Sequence, residues 1–379
     1  MKESKQIPRR ILTVVGTRPE AIKLAPVIME LKRRPRQFTS LVCATGQHRQ
    51  MLDQALAPFQ ISPEYDLNIM QAGQTLAEVT SRIIMKMDEL LQEVHPDIVL
   101  VQGDTTTAFG SSLAAFYQQI QVGHVEAGLR THNKYFPFPE EINRRLIAQV
   151  TDYHFAPTES ARQALVSEGF PPDSIHVTGN TVIDALLWIR ERVRHQRPWL
   201  PQGLAEALTG PMVLVTGHRR ESFGEGFKEI CEAIREVAEM FPDVVFVYPV
   251  HLNPNVREPV WRILGDCPHI CLIDPLPYES FVWLMDQATL VLTDSGGVQE
   301  EAPSLGKPVL VMRENTERPE GIATGNARLV GVKRASIVAS LVHLLTHPEE
   351  RNRMGRVQNP YGDGKASARI ADILAQNSR

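Results

Sequence analysis

The stretch Leu290-Val291-Leu292-Thr293-Asp294-Ser295-Gly296-Gly297-Val298-Gln299-Glu300-Glu301-Ala302 reads as a buried strand, a glycine turn and the opening of a helix. The short apolar run before it suits a strand covered on both faces. Ser295-Gly296-Gly297 lets backbone amides approach a guest with no Cβ in the way. The helix start aims unpaired N–H groups and the positive end of its dipole at the same place. This is the chemistry of a phosphate seat. Glu301 falls about a turn further in, where a carboxylate does not welcome phosphate but accepts hydrogen bonds from sugar hydroxyls. A nucleotide satisfies both demands. The same residues could simply turn the chain between strand and helix, and the surrounding sequence decides.

Outward from this stretch the pattern of strand, polar loop and helix recurs. Residues 212–216 read as a strand delivering Gly217-His218-Arg219-Arg220-Glu221, and strands at 244–248, 270–273 and 308–312 complete a second half. The first half opens with a strand at 10–15, then Gly16-Thr17-Arg18-Pro19-Glu20 and a helix through Lys32, with Pro19 suited to a first helical turn. A strand at 39–44 leads into Thr45-Gly46-Gln47-His48-Arg49. A helix at 76–94 feeds a strand at 97–101 that ends in Gln102-Gly103-Asp104-Thr105, and a strand at 122–125 delivers Glu126-Ala127-Gly128. Strands at 152–156 and 175–177 close this half. The alternation predicts an α/β fold of two Rossmann-like domains with parallel sheets and a cleft between them. The junction is expected near Thr178-Gly179, giving domains of 1–178 and 179–362. Gly217-x-Arg219-x-Glu221 echoes Gly16-x-Arg18-x-Glu20, too briefly to prove duplication.

Composition narrows the function classes. The chain has 379 residues and a formal net charge of −4, without the basic stripe of a nucleic-acid binder. No apolar run approaches membrane-spanning length, and Met1-Lys2-Glu3-Ser4-Lys5-Gln6 lacks the apolar core of a signal peptide, so a cytoplasmic protein is expected. Cys43, Cys231, Cys267 and Cys271 are scattered, forming neither a disulfide framework nor a zinc-ligand spacing. No metal is expected.

The runs Val15-Gly16-Thr17-Arg18-Pro19-Glu20-Ala21-Ile22-Lys23, Gly103-Asp104-Thr105-Thr106-Thr107, Val125-Glu126-Ala127-Gly128-Leu129-Arg130, Thr216-Gly217-His218-Arg219-Arg220-Glu221 and the Ser-Gly-Gly segment, in this order, resemble the bacterial non-hydrolysing UDP-N-acetylglucosamine 2-epimerases. The resemblance implies a glycosyltransferase-B-type fold, a homodimer, and interconversion of UDP-N-acetylglucosamine with UDP-N-acetylmannosamine for cell-surface polysaccharide synthesis. It implies a last helix, 363–379, that crosses back onto the first domain. It further implies that Arg18, Asp104, Glu126, Glu140, Arg144 and His218 bind substrate or support catalysis, with Lys23 as another substrate contact. Ser295, Gly296, Gly297, Glu301 and Arg318 would hold UDP, Phe281 would lie near the uracil, and Gln47, His48 and His251 would match a regulatory site.

The residues themselves favour a particular chemistry. The C2 hydrogen of an N-acetylhexosamine is not next to a carbonyl, so direct deprotonation is implausible. Transient oxidation by a nicotinamide would need Gly-x-Gly-x-x-Gly after a first strand. Gly224-Glu225-Gly226 and Gly362-Asp363-Gly364 both lack the third glycine, so no cofactor is expected. The remaining route breaks the C1–O bond as C2 loses its proton, giving a glycal and UDP, and then re-adds UDP. It needs a base, an acid and cations for the diphosphate. Asp104, Glu126 and Glu140 supply carboxylates whose crowding would separate their pKa values. Arg18, His218 and Arg318 supply donors. A glycosyltransferase of the same fold is the alternative.

Overall fold

The computed structural model describes residues 7–46, 49–71, 73–208, 210–219 and 223–376. The chain divides into two compact units, Met1–Ala185 with Tyr361–Arg379, and Leu186–Pro360. The first contains β1 (Arg9–Val15), β2 (Phe38–Ala44), β3 (Tyr65–Asp66), β4 (Ile98–Gln102), β5 (Gln121–Val125), β6 (Tyr153–Ala156) and β7 (Ile175–Val177). Between them run α1 (Arg18–Arg33), α2 (Arg49–Leu56), α3 (Leu76–Val94), α4 (Thr106–Tyr117), α5 (Glu140–Gln149) and α6 (Glu159–Ser167), and α7 (Thr181–His195) follows. The strands are parallel in the order β3-β2-β1-β4-β5-β6-β7. β4 is buried along its whole length, as a strand covered on both faces must be. Ala21, Leu24, Ala25, Ile28 and Leu31 repeat at helical spacing and bury one face of α1.

The second unit contains β8 (Met212–Thr216), β9 (Val245–Pro249), β10 (Ile270–Ile273), β11 (Leu290–Thr293), β12 (Val309–Val311) and β13 (Ala327–Leu329). Its helices are α8 (Leu204–Ala207), α9 (Glu225–Met240), α10 (Pro254–Leu264), α11 (Tyr278–Gln287), α12 (Gly296–Glu301), α13 (Pro319–Thr324), α14 (Arg334–Thr346) and α15 (Pro348–Gly355). All strands are again parallel, in the order β10-β9-β8-β11-β12-β13. The last helix, α16 (Ala366–Gln376), belongs to the first unit. Asp184 holds its start, accepting from Ser367 N at 2.8 Å and Ala366 N at 3.2 Å, while Asp372 pairs with Arg34 of the α1 C-cap at 2.6 Å. Among the described residues no helix is long and apolar enough to cross a membrane.

Strand order sets where chemistry can gather. In the first sheet the order reverses between β1 and β4, so the loops leaving their carboxyl ends part company and leave a crevice, the usual ligand position in open α/β sheets. In the second the reversal lies between β8 and β11. Gly16 to Arg18 and Gly217 to Arg219 therefore follow strands in equivalent places, β1 and β8. The edge strands β3 and β13, two and three residues long, are too short to register as a period in the sequence.

Two buried imidazoles in the first sheet carry a pH consequence. His124 of β5 and His154 of β6 are neighbours in register, and burial is the main cause that lowers their pKa values, to about 4 and about 3. A base with a depressed native pKa contributes stability above its unfolded pKa of about 6.5 and loses it progressively as pH falls from there to the native value. For His154 the loss reaches about 2.5 kcal/mol by pH 4.5. His154→Phe, whose ring would pack on Phe170 as the imidazole does, is expected to flatten the decline between pH 7 and 4.5 in urea unfolding. An unchanged slope would contradict this.

Candidate active site

Around the β1/β4 crevice the first unit assembles two ion pairs. Asp104 follows Gly103, whose φ of +70° turns the chain sharply after β4. The turn is fixed from β5: Gly103 N donates to Val125 O at 3.0 Å, and neutral His124 donates through Nε2 to Gly103 O at 2.7 Å. Asp104 pairs with Arg144 Nη2, and Asn143 Nδ2 donates to the Asp104 carbonyl at 2.9 Å. Burial raises the Asp104 pKa, with Arg144 opposing and Glu126 adding to the rise. Glu126 sits at φ +65°, a left-handed conformation that a residue with a Cβ rarely adopts. Its carboxylate is 7% exposed and pairs with Lys23 of α1, with Gln102 of β4 donating to the same oxygen.

Helix α5 divides its acidic pair. Glu141 is fully buried and accepts from Thr131 N at 3.0 Å, Arg145 Nε at 3.1 Å and Arg144 Nη1 at 3.4 Å. Burial pushes its pKa up, but these donors outweigh it and hold the carboxyl below the usual range. It anchors Arg144. Glu140 lies one turn before Arg144, and its Oε2, like Arg144 Nε, is buried without a hydrogen-bond partner. Such orphaned atoms on one helix face are what a polar guest satisfies.

A buried carboxylate joins the two loops of this crevice. Glu20, 1% exposed, accepts from Thr17 N at 2.6 Å, Gly16 N at 3.1 Å and Thr105 Oγ1 at 2.6 Å. It ties the loop bearing Arg18, the first residue of α1, to the loop bearing Asp104. Gly16 admits no side chain, because a Cβ there would stand 2.2 Å from Thr107 Oγ1.

The second unit repeats the device at β8/β11. Asp294 is fully buried, and its Oδ2 accepts from His218 N at 2.7 Å and Arg219 N at 2.8 Å. Tyr248 Oη donates to Gly217 O at 2.9 Å. The His218 ring stacks on His251, 5.4 Å between centroids and 17° between planes. Burial is the main cause that lowers the His218 pKa; Asp294 opposes it, and Arg219 and His251 reinforce it. At neutral pH the ring is an uncharged hydrogen-bonding group. A Cβ on Gly296 would lie 3.7 Å from Arg219 Nη2 and 3.9 Å from Arg318 Nη2, so two guanidiniums overlook the Ser295-Gly296-Gly297 turn. Arg318 pairs with buried Glu300, and Thr316, held by Gln299 at 2.7 Å, accepts from Arg318 N at 3.1 Å. Glu301 accepts from Tyr278 Oη at 2.6 Å, and Phe281 stands half-buried in the first turn of the same helix, α11.

The sequence profile of the UDP-N-acetylglucosamine 2-epimerases matches residues 29–375. The chain belongs to the UDP-N-acetylglucosamine 2-epimerase family. The UDP-N-acetylglucosamine 2-epimerase of Salmonella typhimurium is 57% identical over 96% of this chain and 98% of its own length. That of Escherichia coli K12 is 56% identical over 97% and 99%. The crystal structure of the Neisseria meningitidis UDP-GlcNAc 2-epimerase bound to UDP-GlcNAc matches with a TM-score of 0.87 and 49% identity over 97% of this chain and all of that one. The fold is the α/β, glycosyltransferase-B type expected.

Within this 2-epimerase-family chain, Asp104 meets Arg144, Glu126 meets Lys23, and Arg318 overlooks Gly296, whereas His251, assigned from resemblance to a regulatory site, stacks on His218. Gln47 and His48 lie outside the described residues. Sequence reasoning missed Gln102, Glu141, Asn143 and Arg219 as supporting groups, and Glu20 and Asp294 as loop anchors. Arg219 had a signal, a second cation in the Gly-His-Arg-Arg loop.

Proposed function

We propose that this chain reversibly epimerises UDP-N-acetylglucosamine at C2 to UDP-N-acetylmannosamine, by eliminating UDP to a 2-acetamidoglucal and adding it back. A carboxylate of the first unit takes the C2 proton while the C1–O bond breaks, its electron pair leaving with the β-phosphate oxygen and the C1=C2 double bond forming. A second carboxyl returns a proton to the opposite face of C2 as UDP re-adds at C1. Asp104, Glu126 and Glu140 divide these tasks. Burial raises the Asp104 pKa, which favours it as the acid, and a carboxylate that stays ionised suits the base. Arg18, His218, Arg219 and Arg318 hold the diphosphate through departure and return, with Ser295, Gly296 and Gly297 lining its seat, Glu301 binding the ribose and Phe281 the uracil. The carrying observation is the pairing of Asp104 with Arg144 and Glu126 with Lys23 in one crevice of a family member. The enzyme works as a homodimer that supplies precursor for surface polysaccharide and requires no redox cofactor.

NMR of the purified protein with UDP-N-acetylglucosamine in deuterium oxide, nothing else added, tests this. UDP-N-acetylmannosamine should appear, with deuterium at C2 of both epimers. Free N-acetylmannosamine with UDP would mean hydrolysis, and unchanged substrate would turn attention to the transferase alternative.

A further inference from the structure

We infer that Tyr278 is a positioning residue for ribose recognition: it holds the Glu301 carboxylate from the helix that also carries Phe281. The inference rests on Glu301 being the ribose acceptor, as proposed above. Tyr278 opens α11 and Glu301 closes α12. Both are buried, at 9% and 6% exposure, and the phenol Oη donates to Glu301 Oε1 at 2.6 Å. At 2.6 Å the bond fixes where Oε1 points. Phe281 stands three residues after Tyr278, on the same helix face. One side chain therefore links the aromatic platform for a base to the acceptor for a ribose, elements that come from different strand–helix units of the sheet. A carboxylate accepts at about four lone-pair positions, so a bond from Tyr278 is compatible with bonds from the vicinal 2′- and 3′-hydroxyls. Without the phenol the carboxylate loses a donor that orients Oε1, and the hydroxyls meet a less well fixed partner. The nucleotide is then read mainly by its base and phosphates.

Calorimetric titration of the full chain with UDP and with 2′,3′-dideoxy-UDP measures this directly. Wild type is expected to prefer UDP by about 30-fold, as loss of hydrogen bonds to a charged acceptor implies. Tyr278→Phe should bind UDP about tenfold more weakly and bind dideoxy-UDP as wild type does, so that the preference falls to about threefold. With UDP-N-acetylglucosamine as substrate, KM should rise with kcat little changed. In a Glu301→Ala background Tyr278→Phe should add no further loss, because the phenol acts through that carboxylate. Equal losses for both nucleotides, an undiminished preference, or a full tenfold loss in the Glu301→Ala background would each overturn the role of Tyr278. Should the single variant not fold, Tyr278→Leu, which is apolar, smaller and carries no donor, gives the same comparison. If wild type itself binds UDP but does not prefer it over dideoxy-UDP, ribose recognition by Glu301 fails, a result separable from failure at Tyr278.

Discussion

Asp104→Asn is expected to lower kcat by about 10²–10⁴-fold, the usual worth of a positioned acid or base. The amide keeps the shape of the side chain and an oxygen for Arg144 Nη2, and the backbone anchors from Asn143, Val125 and His124 are untouched, so the loop should stay in place. What disappears is the carboxyl that can carry a transferable proton. Burial keeps that proton on the Asp104 carboxyl to higher pH than on a free aspartate, and the nearby Glu126 reinforces this while Arg144 limits it. The variant should therefore bind UDP like wild type, show its deficit in the chemical step, and lose one limb of the pH–rate profile. Epimer formation by NMR and UDP binding by calorimetry separate these effects. A loss below about tenfold would remove Asp104 from acid–base duty and leave Glu126 and Glu140 to share it.

Glu20→Ala should be the most destabilising change in the same crevice. It removes the acceptor for Gly16 N, Thr17 N and Thr105 Oγ1 at once, in a site where Glu20 is 1% exposed. A buried donor left without a partner costs about 1–3 kcal/mol, so a total near 4 kcal/mol is expected after partial relaxation. That is a large part of a domain's stability of about 5–15 kcal/mol. Glu20→Gln, retaining one acceptor oxygen, should fall between the two. Urea unfolding measures the loss. In the folded fraction, activity should also fall, because the Arg18 and Asp104 loops are no longer tied. Destabilisation under about 1 kcal/mol would show that the amides find other partners.

The architecture was legible because a parallel sheet writes itself plainly. Its strands are short apolar runs such as Ile98-Val99-Leu100-Val101, and β1, β4, β5, β8 and β11 end in polar loops with glycine. The loop residues Asp104, Glu126, His218 and Ser295 could be picked out for the same reason. Their partners could not, because partnership depends on which strands become neighbours. Nothing local in the sequence says that β4 lies against β1 across the reversal, so neither the Glu20–Thr105 bond nor the Asp294 grip on the loop after β8 could be read. The division of labour between Glu140 and Glu141 was hidden by a different cause. Adjacent helical residues project about 100° apart, and only packing decides which one turns inward to Thr131 and which offers an unmatched oxygen.

The return of α16 to the first unit separates the order of synthesis from the order of completion. Asp184 receives the amides that cap α16, and Arg34 receives Asp372, only after the whole of Leu186–Pro360 has been made. At a translation rate of about 5–20 residues per second, the nascent first unit waits roughly 10–35 s with that surface open. A ribosome stalled within the second unit would therefore carry a first unit whose sheet can form but whose last helix is missing. Quality control would meet this protein as an early sheet lacking its final clasp.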